Sequence, residues 1–65
     1  MPPKIRELIS QLERNGFINR GGKGSHRNYE HPVGERLTIS GNPGDDAQKY
    51  QERLVRNALK KVKSK

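Results

Sequence analysis

Ile5, Leu8, Ile9 and Leu12 recur at helical spacing, and Arg6, Glu7, Gln11, Glu13 and Arg14 fill the positions between them. That pattern predicts an amphipathic helix over roughly residues 3–15. Pro3 suits its first position, where a missing N–H costs nothing, and Gly16 suits a left-handed cap after Asn15. The period then changes. Phe17 to Arg20 reads as a short strand, Gly21-Gly22-Lys23-Gly24 as a turn, and Ser25 to His31 as a second strand. Pro32-Val33-Gly34 makes a tight connection to a third strand over Glu35 to Ser40, where Leu37 and Ile39 alternate with Arg36, Thr38 and Ser40. Such alternation belongs to a sheet covered on one side only. After a loop at Gly41-Asn42-Pro43-Gly44, Asp45 stands at a capping position with Gln48 three residues on. A second helix is predicted from about Asp46 to Val62, with an apolar stripe of Ala47, Tyr50, Leu54, Val55, Ala58, Leu59 and Val62.

The order is α-β-β-β-α, an α+β class. A three-stranded antiparallel sheet must cover one face, and two amphipathic helices packed on that face do so. The other face is left to solvent or to a ligand. The 65 residues make one domain, with loose ends expected at 1–3 and 63–65.

Composition narrows the partners. Only 28% of residues are hydrophobic and 5% aromatic, so the core must be thin. No cysteine is present, which excludes a disulfide framework and a thiolate zinc site and fits a reducing cytoplasm. No apolar run reaches the length of a signal peptide or membrane span. Fourteen Lys and Arg stand against 7 Asp and Glu, a formal charge of +7. A basic surface draws in polyanions. Part of the excess, Lys60, Lys61, Lys63 and Lys65, lies at the end of the second helix, where cations suit the helix dipole. Arg20, Lys23, Arg27 and Arg36 gather elsewhere, around a Gly-Ser-His segment.

That segment, Lys23-Gly24-Ser25-His26, carries the candidate chemistry. With Tyr29 turned toward the helices, Arg27 and Ser25 share its side, and His26, Asn28 and Glu30 face outward. An outward neutral imidazole can take the proton of a ribose 2′-hydroxyl. Lys23, Arg27 and the glycine-turn N–H groups are placed to stabilise charge on the attacked phosphate. His31, five residues from His26, points to the opposite face of a regular strand, which argues against a paired acid and base or a two-histidine metal site. Beside Pro32, it reads as a strand-end residue. Asp45 and Asp46 are better explained by capping than by a metal. The glycine run lacks the spacing of a phosphate-binding P-loop. Phe17 and Tyr29 are expected in the core rather than stacked on bases.

Taken in order, Asn15-Gly16-Phe17, Lys23-Gly24-Ser25-His26, Tyr29, His31-Pro32, Gly34 and Arg36 to Ile39 resemble the HicA family of bacterial toxin ribonucleases. The likeness covers residues 4–40 well, and Gly44 to Ala47 with Tyr50 to Glu52 is similar to the last helix of a HicA subgroup. Arg27 and Asn28 stand where family members often have apolar residues, and Ser40-Gly41 where they often have proline. The resemblance implies a fold similar to the double-stranded RNA-binding domain. It implies a metal-independent, cofactor-free mRNA endoribonuclease that arrests translation, with His26 as the catalytic histidine. Gly24 and Ser25 then shape its approach to RNA, and with the cations Lys23, Arg20, Arg27 and Arg36, singled out by their charge, they make up the expected RNA-binding set. It further implies a cognate HicB-like antitoxin covering the site; separately, the isolated chain is expected to be a monomer. Two other classes fit the residues: a non-catalytic RNA-binding module, and a purely structural partner in a protein complex.

Overall fold

A computed structural model describes residues 2–63 of the chain. Met1, Ser64 and Lys65, part of the expected loose ends, lie outside the described residues. The elements are α1 (Ile5–Arg14), β1 (Ile18–Asn19), β2 (Arg27–Glu30), β3 (Arg36–Ile39) and α2 (Lys49–Lys63). The strands form one antiparallel sheet in the order β1-β2-β3. This is the expected α+β arrangement of double-stranded RNA-binding-domain type, with each strand shorter than its sequence pattern.

The register decides which side chains go inward. Tyr29 lies opposite Leu37 and Arg27 opposite Ile39, so these four share one face. Tyr29 and Ile39 are buried there with Ile5, Leu8 and Leu12 from α1, Val55 and Ala58 from α2, and Phe17 from the α1–β1 connection. Each such large apolar side chain removed from water contributes roughly 1.5–3 kcal/mol. Phe17 and Tyr29 are therefore core residues, 3% and 2% exposed.

The first turn of α1 begins after Lys4 rather than at Pro3. The Glu7 carboxylate takes the Lys4 N–H at 2.6 Å, half of a capping box. The orphan donors of Ile5 and Arg6 go to the carbonyls of Asp45 and Pro43, at 2.9 and 3.1 Å. The carbonyl of Pro3 in turn accepts the Ala47 N–H at 2.7 Å. The loop before α2 thus caps α1.

That use of the loop displaces the start of α2. It begins at Lys49, three residues later than the Asp45–Gln48 spacing predicts. Asp45 instead accepts the Asn42 N–H, and Asp46 pairs with Lys4 at 2.6 Å. Gln48 takes the capping position, and the Gln51 side chain reaches back to its N–H at 2.8 Å. The Gln51 amide also donates to the Ser40 carbonyl. Both ends of that amide are satisfied, which is why a polar side chain is buried here. The apolar stripe rotates accordingly: Tyr50 and Leu54, expected inside, are 51% and 43% exposed.

His31 confirms the strand-end reading. Its Nδ1 accepts the Val33 N–H at 3.1 Å, so Nε2 carries the proton and donates to the Asn15 carbonyl at 2.9 Å. The ring stands edge-on to Phe17, with centroids 5.1 Å apart. It joins the end of α1 to the β2–β3 turn across Gly16, whose φ is +94°.

Replacing His31 with Ala removes two hydrogen bonds and an aromatic edge contact. Urea unfolding should show a loss of about 2–3 kcal/mol. Burial, with a smaller effect of Glu13, raises the Tyr29 hydroxyl above its ordinary 10.0. The fold therefore favours the neutral phenol, and this contribution is complete below pH 10 and lost as pH climbs through the raised value. The urea midpoint should fall above pH 10, and fall less in Tyr29→Phe.

Candidate active site

The face of the sheet away from the helices carries the polar residues of the strands. Asn28 lies opposite Thr38, and Glu30 opposite Arg36 on one side and Ile18 on the other. The Thr38 hydroxyl donates to the Asn28 side-chain carbonyl at 2.7 Å. Glu30 receives Arg20 on one carboxylate oxygen, with Nε at 3.4 Å, and Arg36 near the other at 3.9 Å. Both arginines are well exposed and Glu30 partly so, and these pairs contribute little to stability. They do fix where two guanidinium groups sit. Arg20, Asn28, Glu30, Arg36 and Thr38 line a shallow depression of about 380 Å³.

Strand alternation puts Arg20 on this face with Ile18, opposite Asn28, and the pairing turns irregular just beyond it. The carbonyl of Asn28 accepts the Arg20 N–H at 2.7 Å, while its own N–H goes to Gly21 at 2.9 Å. Two residues of one strand therefore oppose one of the other, which bends the chain and ends β1 early.

His26 stands at the other end of β2, just before the strand begins. Its N–H donates to the Lys23 carbonyl at 2.9 Å and closes a four-residue turn, with Gly24 at φ +57°. Its imidazole is exposed, and no described residue hydrogen-bonds it. Gly22 backs this turn closely. A Cβ added there would lie 2.0 Å from the His26 carbonyl oxygen and 2.8 Å from its carbon. Only a bare Cα allows this approach. Sequence reading took Gly22 as one more flexible turn residue. Its contact is long in neither sequence nor φ, so no local signal marks it.

The structure separates the expected RNA-binding set into three places. Lys23, Gly24 and Ser25 share the turn with His26. Arg20 and Arg36 cluster at Glu30, about 13 Å along the strand at ~3.3 Å per residue. Arg27 lies on the helix-facing side, half-buried, and its Nη1 donates to the Gly41 carbonyl at 3.2 Å. Among the described residues, no three His, Asp or Glu side chains gather as a metal site, and no helix is long and apolar enough to cross a membrane.

The profile of the HicA toxin of bacterial toxin–antitoxin systems matches residues 5–63, nearly the whole chain. The chain belongs to the HicA toxin family. No curated protein matches it. HicA toxins are generally ribonucleases that pair with HicB antitoxins. The turn of His26 and the arginine-lined depression are both open to solvent.

Gly22→Ala tests how tightly the turn is held. Displacing a catalytic group by ~1 Å costs about a hundredfold in rate. The variant should lose RNA cleavage on that scale while keeping its circular dichroism spectrum. Full activity would show that the close approach does not position His26.

Proposed function

We propose that this HicA-family toxin is a metal-independent mRNA endoribonuclease whose general base is His26. The observation that carries the reading is the exposed imidazole on a glycine-backed turn, free of hydrogen-bond partners among the described residues, next to Lys23. A neutral ring takes the proton of the ribose 2′-hydroxyl. The freed O2′ attacks the adjacent phosphorus, the P–O5′ bond breaks, and the departing oxygen takes up a proton. The products are a 2′,3′-cyclic phosphate and a 5′-hydroxyl end. Lys23 and the turn's backbone N–H groups are close enough in sequence to meet the charged phosphate. Arg20 and Arg36, farther along β2, suit phosphates flanking the cleaved one. Arg27, committed to Gly41, acts by holding that loop. A cognate HicB-type antitoxin silences the toxin by covering this face.

A second reading, RNA binding without cleavage, is favoured by one feature. General bases are commonly oriented by a neighbouring group, and no described residue orients the His26 ring.

Cleavage of a defined mRNA by purified, antitoxin-free protein decides between them. General base catalysis contributes about 10²–10⁴-fold, so His26→Ala should lose activity on that scale, and growth arrest with it. Activity should persist in a chelator. A wild-type protein that binds RNA and leaves it intact would establish the second reading, and a folded His26→Ala protein with full activity would remove the histidine from the reaction.

A further inference from the structure

Lys49, Arg53, Arg56, Lys60 and Lys63 recur along α2 at intervals of four, three, four and three residues. That spacing puts all five on one face of the helix. All five are exposed. The stripe runs about 21 Å at 1.5 Å per residue, one cation every ~5 Å. It borders the groove between the helices, where Arg56, Lys60 and Lys63 face Leu8 and Gln11 of α1. Glu52 is the one acid in α2.

Two observations set this stripe apart from an ordinary solvated face. Among the described residues, the ion pairs join Lys4 to Asp46, Arg20 and Arg36 to Glu30, and Lys61 to Glu35. None uses a member of the stripe, and Glu52, which lines the same shallow depressions, is a single negative charge beside five positive ones. Dipole complementarity explains Lys60 and Lys63 in the last turn but not the others. Lys49 is the first residue of α2, where the helix end is itself positive and a cation is unfavourable. Arg53 and Arg56 lie mid-helix, where the dipole offers nothing.

We propose that this face of α2 is a second phosphate-binding surface, which holds the backbone of the same RNA strand outside the His26 site. The inference rests on the ribonuclease reading above, since it takes RNA as the ligand. The stripe lies on α2 and His26 in the turn that enters β2, so only a strand long enough to span the surface between them touches both. Short RNA fills only the His26 site, and long RNA reaches α2 as well. The contacts are to phosphate, so they add affinity without base preference.

The test compares a short oligoribonucleotide with a single-stranded RNA several times longer. Binding is measured over a salt series with the His26→Ala protein, which leaves the RNA intact, and cleavage with the active one. In each, Arg53, Arg56 and Lys60 are changed together to Gln. These side chains are exposed, and thermal melts confirm that the variant folds. Loss of three phosphate contacts should reduce the log–log salt slope for long RNA by about 2, at ~0.7 per contact. Long RNA should bind at least tenfold more weakly, while cleavage of the short oligonucleotide stays unchanged. An unchanged slope for long RNA would overturn the stripe's role and leave the ribonuclease reading intact. So would weakened antitoxin binding with RNA binding unaltered, which would make the stripe a protein-docking face. If the protein with native α2 neither binds nor cuts RNA of either length, both readings fall together.

Discussion

Two backbone N–H groups at the start of α1 govern the arrangement of everything after them. Ile5 and Arg6 cannot donate within their own helix, and no capping side chain serves them. They are satisfied by carbonyls of Asp45 and Pro43, from the far side of the sequence. Gly41, in the same loop, lies against Ile5 with a closest approach of 3.6 Å from a Cβ position, and its carbonyl holds Arg27 of the central strand. One irregular segment thus ties the first helix, the middle of the sheet and the entry to the last helix. With both helices fixed on the Tyr29 and Ile39 side, the reverse of the sheet has nothing left to cover it. The uncovered face follows from the accounting of polar groups as much as from hydrophobic burial.

A thin core makes such ties matter. Few large side chains are buried, and several of the contacts that join elements are single polar links: His31 to Asn15, Gln51 to Ser40, Arg27 to Gly41. Each commits a residue whose sequence context left its role open. Arg27 is the clearest case. Its position next to His26 in the chain points to phosphate, yet strand alternation turns it to the other side, where a carbonyl awaits. Chain neighbours and surface neighbours differ in a strand.

The order of elements, the covered face and the burial of Phe17 and Tyr29 were all legible from hydrophobic period and turn residues. The HicA likeness added the identity of the turn around His26. What escaped were choices made by distant groups. Asp45 and Asp46 have the chemistry of a helix cap, and only the demand of Lys4 and Asn42 shows why the helix waits until Lys49. Tyr50 and Leu54 have the hydropathy of core residues. Gln51 takes the inward position because its amide has two partners there, a fact that no scale of residue polarity contains. Gly22 is invisible for a related reason: its constraint is a close approach across a loop.

Glu30 lends the uncovered face one more property. A carboxylate between Arg20 and Arg36 occupies the kind of position that a phosphate oxygen takes in a complex. Glu30 holds the two guanidinium groups loosely about one carboxylate, while most of each arginine side chain stays in solvent. The pairs leave spare N–H donors on both arginines open to solvent. The same carboxylate offsets part of the local charge of the two arginines.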